Sequence, residues 1–199
     1  MSAARVVVAG IGNPLRHDDG AGLETARRLA ARLGGVANVG PCGEPLDLLG
    51  RWDRADLAVV VDAVCSGAPP GTVQTVQLDP ALPTERAWAP TGSAAGRVAG
   101  LTSTHGIGVA GVLRLSRALG LAPRRVLLVG IEAGRLDPGA GLSPAVVAGV
   151  TRAVHTVLAL LQEDGAGQEH WALPAGHTGP AGGARGASEP GEREGAPCA

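Results

Sequence analysis

The run ADLAVVVDAV, residues 55–64, constrains the fold more than any other stretch, because Leu57 to Val61 are apolar without a break. A strand with one wet face alternates polar and apolar residues. Five consecutive aliphatic residues instead fit a strand buried on both faces, as in a parallel sheet covered by helices on either side. Two further runs, RVVVAG at 5–10 and RRVLLVGIE at 124–132, have the same character and are read as buried strands.

The segments between them alternate in period. AGLETARRLAARLGG places Leu23, Ala26, Leu29, Ala30 and Leu33 at helical spacing, with Gly34 and Gly35 as the stop. VANVG reads as a weak second strand, and EPLDLLGRW as a short helix with Pro45 near its first turn. GAPPGTVQTVQLD holds a turn followed by Val73, Val76 and Leu78 among Thr and Gln, the pattern of an antiparallel edge strand. Residues 79–104, rich in Pro, Gly, Thr and Ala, read as a long loop, and HGIGVAGVLRLSRALG as a helix. SPAVVAGVTRAVHTVLALLQ reads as a long helix with Ser143 as N-cap and Pro144 at the first helical position. The order β-α-β-α-β-β-α-β-α predicts a three-layer α/β sandwich, with a twisted, mostly parallel five-stranded sheet between helices.

Residues 1–164 make one domain on this reading. Residues 165–199 hold nine Gly and four Pro among 35 and almost no aliphatic side chains. Such a segment buries too little surface to offset its ordering entropy, so a disordered tail is expected. With no Phe or Tyr, the core must come from Val, Leu, Ile and Ala. A net charge of −1 gives no electrostatic case for nucleic acid or an anionic membrane. No signal-like start and no segment of membrane-span length is read, which leads to the expectation of a cytoplasmic protein, a monomer by default. Cys42, Cys65 and Cys198 are too few and too scattered for a disulfide framework or a thiolate zinc site. Cys65, following a buried strand, reads as a small core residue.

The turn after the first strand, GIGNPLRHDDG at 10–20, invites a nucleotide reading and then fails it. Gly10 and Gly12 fit a dinucleotide fingerprint, but Leu15 stands at the third glycine position, and Asp18 and Asp19 would repel a pyrophosphate. No GK[ST] loop exists in a chain without lysine. A nucleotide cofactor is therefore not expected. One of the two aspartates can serve as a helix N-cap.

Other strand ends supply partners. Asp62 ends the run LAVVV, on the rim where parallel α/β sheets bind ligands. His105 in STHGIG opens the next helix after the long loop and can reach the same rim. Asp19, Asp62 and His105 together make an oxygen-and-nitrogen set suited to a divalent transition metal such as nickel, zinc or manganese. Three protein ligands leave positions open for water or substrate. His17 reads as an exposed loop residue, His155 as a surface residue of the last helix, and His170 and His177 as residues of the tail.

VVVAGIGNPLRHDDGAG, LAVVVDAVCSGAPPGTV, STHGIGVAGVLRLSRALG and VLLVGIEAGRLDPGAGLSPAV occur in this order, and the chain from about residue 5 to 163 resembles the hydrogenase maturation protease family. The resemblance implies an endopeptidase that removes the C-terminal extension of an immature nickel-iron hydrogenase large subunit. It also implies metal recognition through Asp19, Asp62 and His105, with nickel supplied by that substrate. Two departures stand out. VGPCGEP replaces an Asp-Gly-Gly-Thr-like stretch after the second strand, and HGIGVAGVL lacks a further acid beyond the histidine. They motivate an alternative, a non-catalytic, metal-dependent binding or chaperone paralogue.

Overall fold

The computed structural model describes residues 4–33, 38–78, 89–90, 102–103 and 108–163. Five principal strands form one sheet: β1 (Val6–Ile11), β2 (Asn38–Cys42), β3 (Leu57–Cys65), β4 (Val73–Leu78) and β7 (Arg125–Glu132). Their order is β2-β1-β3-β7-β4. The β1–β2, β1–β3 and β3–β7 pairs are parallel and β4–β7 is antiparallel, so the mostly parallel α/β sandwich expected from the sequence is the fold observed.

Two short strands lie within the stretch read as loop. β5 (Ala89–Pro90) pairs with β4 and β6 (Thr102–Ser103) with β3, both antiparallel. β4 is therefore not an open edge, since β5 covers part of its outer side. Two-residue strands carry no periodicity, which is why the sequence shows neither. The tail beyond residue 164, the domain boundary drawn there and Cys198 all lie outside the described residues.

Strand alternation sorts the core into two layers. Val8, Val59, Val61, Leu127, Val129 and Ile131 face helices α1 (Ala21–Leu33) and α4 (Pro144–Glu163). Val7, Ala9, Ile11, Val60, Val126 and Leu128 face the layer holding α2 (Leu48–Arg51) and α3 (Val109–Ala118). A 3-10 turn, Pro45–Asp47, precedes α2, with Glu44 and Asp47 as its capping box. Aliphatic packing thus replaces aromatic bulk, with Trp52 the largest fully buried side chain among the described residues.

At 20 residues, α4 is long and apolar enough to match a membrane span, contrary to the expectation that no segment reaches that length. Its apolar stripe, Val146, Val150, Val154, Val157 and Leu161, packs into the core, and Arg152 and His155 stand on its exposed side. Ser143 precedes it as expected, its carbonyl accepting the Val147 N–H at 2.9 Å.

Candidate active site

The loop between β1 and α1 shows what its glycines are for. A Cβ on Gly10 would overlap the carbonyl oxygen of Gly22, and one on Gly12 (φ 150°) would overlap that of Asp19. Both glycines permit backbone to lie on backbone, so that the chain folds back over the end of β1. Asn13 shapes the return. Its Oδ1 accepts the Leu15 N–H at 2.9 Å and its carbonyl the Arg16 N–H at 3.2 Å. A 3-10 turn, His17–Gly20, then leads directly into α1.

The two adjacent aspartates of this turn do different work. Both are fully buried. Asp18 Oδ2 accepts the N–H groups of Gly134 (3.0 Å) and Arg135 (2.8 Å) and the Ser143 hydroxyl (3.0 Å). Its Oδ1 accepts the Ser143 N–H at 2.6 Å. Charge-assisted bonds of this kind are the stronger sort, and here they tie the first loop to the segment before α4. Asp19 Oδ2 instead lies 3.7 Å from Arg16 Nη1, and its turn packs against β3.

More bonds lace the same two segments. The Asp18 and His17 N–H groups donate to the carbonyls of Arg135 and Gly139, and the Gly139 N–H to that of Leu15. Arg16 Nε donates to the Leu136 carbonyl at 3.2 Å. His17, read from the sequence as an exposed loop residue, is half-buried in this seam. Its Nδ1 lies 3.0 Å from the Gly141 carbonyl oxygen and its Nε2 3.1 Å from Arg135 Nη2. The correction has a physical cause, since residues 133–143 form a cradle that only long-range contacts reveal.

Asp62 is 1% exposed and lies within β3, which continues to Cys65 rather than ending at the aspartate. The β1–β3 pairing stops at Gly10 and Val61, so Asp62 sits where β1 has turned away into the glycine loop. By alternation with Ala58 and Val60 it faces the α2/α3 layer. α3 starts in that layer at Val109, behind Gly108 as N-cap. His105 lies outside the described residues, and so does the helical start expected there. The structure therefore places Asp19 in a turn that packs on β3 and Asp62 within β3 itself. Among the described residues, no group of three His, Cys, Asp or Glu side chains forms a metal cluster.

Sequence reasoning missed one acid on this rim. Glu132, the last residue of β7, is 2% exposed. It accepts the N–H groups of Ser66 and Gly67 at 2.8 and 2.9 Å and the Ser66 hydroxyl at 2.6 Å, fixing the turn that follows β3. An acid closing a buried run is the same signal that singled out Asp62. Cys65, read as a core residue, is partly exposed at the end of β3. Cys42 is buried at the end of β2, where burial pushes its thiol pKa up and away from thiolate chemistry.

Comparison with known proteins points one way. Residues 42–160, which include Asp62 and His105, match a family model described as hydrogenase maturation protease. The hydrogenase 2 maturation protease of Escherichia coli is 31% identical over 81% of this chain and 93% of its own length. The hydrogenase maturating endopeptidase HybD of E. coli superposes with a TM-score of 0.63 at 29% identity, over 81% of this chain and 94% of that one. HybD of Thermococcus kodakarensis, a [NiFe] hydrogenase maturation protease, gives 0.59 at 27% identity, over 78% and 98%.

Proposed function

The chain belongs to the hydrogenase maturation protease family, and from that premise we propose that it removes the C-terminal extension of a nickel-loaded precursor of a nickel-iron hydrogenase large subunit. One observation supports the site most directly. Two fully or almost fully buried carboxylates, Asp19 in the turn that packs on β3 and Asp62 within β3 beyond its pairing with β1, lie toward the carboxyl ends of the parallel strands, the side where such sheets bind ligands. Buried carboxylates suit a cation-binding role, because an ionised acid out of water needs compensating charge.

Asp18 supports assigning Asp19 as the acid of the first motif that meets substrate. All four donors on Asp18 come from the segment before α4, so its carboxylate is committed to holding the loop. In this reading the nickel arrives as part of the substrate, and Asp19, Asp62 and His105 recognise it with oxygen and nitrogen donors. When bound there, the metal would polarise the scissile carbonyl. A carboxylate of the pair takes a proton from the attacking water, and that proton then passes to the departing amine.

The test is cleavage of a purified nickel-loaded precursor followed by intact-mass spectrometry. The parent protein is expected to release the C-terminal extension. Asp19→Ala, Asp62→Ala and His105→Ala should each lower the rate by at least about 100-fold, the scale of losing a positioned acid–base group. Normal processing by these variants overturns the site assignment.

A further inference from the structure

We propose that Glu132 is a positioning residue for the proposed cleavage: its carboxylate fastens the end of β3 that carries Asp62, and it sets turnover rather than affinity for the precursor. The inference rests on the proposed function. Glu132 is buried, and the proton transfers of that reading do not use it. Burying a carboxyl group costs free energy unless its oxygens are occupied. What occupies them locates its task.

Register and alternation put the two acids on one face of the sheet. Asp62 pairs with Gly130 and Val64 with Glu132. Along β7, Glu132 has the parity of Val126 and Leu128, which face the α2/α3 layer as Asp62 does. Val64 has that parity on β3. It fills the space over Gly130, where a Cβ would meet Val64 Cγ2 at 3.0 Å. Asp62, Val64 and Glu132 are therefore successive neighbours on one surface.

This part of β3 needs an anchor. Its pairing with β1 stops at Val61 and its pairing with β6 begins at Val64. Across Asp62 and Ala63, β7 is the sheet partner among the described strands. Further along, the Ala133 N–H donates to the Val64 carbonyl at 2.9 Å. Glu132 takes hold of the next two residues. One of its oxygens accepts both the Ser66 and the Gly67 N–H, and the other accepts the Ser66 hydroxyl. Gln74 Nε2 donates to that hydroxyl from the far side at 3.1 Å. The chain bends away at Gly67 (φ 82°), so the carboxylate grips β3 where it leaves the sheet. The connection to β4 closes without this grip. Its backbone bonds run from the Gly71 N–H to the Glu132 carbonyl at 2.7 Å and from the Glu132 N–H to the Thr72 carbonyl at 2.8 Å. The side chain is thus committed to the end of β3, four residues from Asp62. A displacement of about 1 Å can cost a catalytic group about 100-fold in rate.

Steady-state cleavage of the nickel-loaded precursor by the full chain separates turnover from affinity. The variants are Glu132→Ala and the isosteric Glu132→Gln, both checked for folding by circular dichroism and assayed well below their melting temperatures. Glu132→Ala is expected to lower kcat at least about tenfold, with KM within about twofold of the parent. Glu132→Gln keeps an oxygen for the two N–H groups, and its kcat should stay within about threefold. If Glu132→Ala does not fold, Glu132→Met takes its place with the same expected losses, since it fills the space without a strong acceptor. An unchanged kcat, or a loss that falls on KM, overturns the proposal. An equal loss in Glu132→Gln also overturns it, because the charge rather than the anchoring then matters. The Asp62 carboxyl carbon, assigned by NMR through its disappearance in Asp62→Asn, gives a readout independent of cleavage. Its resonance should move by more than a linewidth in Glu132→Ala and hold in Glu132→Gln. A resonance unmoved in Glu132→Ala overturns the proposal. A parent that leaves the precursor uncut overturns the proposed function, and the resonance alone then decides the positioning.

Discussion

Asp18 and Asp19 are buried neighbours of one residue type with different partners: backbone and hydroxyl donors of residues 134–143 for Asp18, Arg16 for Asp19. The sequence marks the pair as acidic and places it before a helix, but it cannot apportion the roles. The donors that claim Asp18 come from residues 134, 135 and 143, and backbone N–H groups leave no signature in sequence. The glycines were more legible, because a loop with Gly at both 10 and 12 implies close approach of something, and the something is backbone. Asp18→Ala removes the acceptor for three N–H groups and a hydroxyl. At about 1–3 kcal/mol per buried donor left unsatisfied, a stability loss of about 3 kcal/mol or more is expected, read from the urea midpoint. A second prediction concerns Glu24. Arg27 donates to both its oxygens at 2.7 and 2.8 Å, and with Arg28 alongside its pKa falls to about 2. A carboxylate lowered in the folded state stabilises above its unfolded pKa, and that contribution disappears as pH drops toward 2. Glu24→Gln is therefore expected to lose less than about 1 kcal/mol at pH 7, as exposed pairs do. The gap from the parent should close between about pH 4.5 and 2 in pH-dependent melting curves.

Elements were the most readable scale. Unbroken aliphatic runs placed β1, β3 and β7, and helical spacing placed α1 and α4, because each element buries a face large enough to impose its period on the sequence. What escaped was how elements fasten to one another. Trp52, immediately after α2, is fully buried, and its indole N–H donates to the Ser116 hydroxyl of α3 at 2.8 Å. Ser116 in turn donates to the Val112 carbonyl within its own helix at 2.9 Å. This pin joins two short helices on one face of the sheet, across 64 residues. Ser116→Ala leaves the indole N–H buried without its acceptor. A loss of about 1–3 kcal/mol is expected in chemical denaturation, with Trp fluorescence following the same transition. Serine in the middle of an apolar helix gave no hint of this, since nothing in the sequence says which distant tryptophan it meets.

For the whole molecule, the parallel sheet decides where chemistry can happen. The parallel register sets Asp62 beside Gly130 and Val64 beside Glu132, and the turn that carries Asp19 packs on β3. The alternation of strand and helix makes that side of the sheet legible in the sequence, and Asp62 after its aliphatic run with it, while Glu132 carries the same signal unread. The loop from 133 to 143 is not legible there, although it frames the first motif as closely as the motif's own residues do.

That frame has a consequence for the order in which a newly made chain becomes braced. The groups that hold Asp18 lie 116 to 125 residues downstream of it. A nascent chain that has emerged only as far as the third strand carries the whole GIGNPLRHDDG motif with nothing yet to brace it. The loop that carries Asp18 gains all of its side-chain braces only once synthesis has passed Ser143.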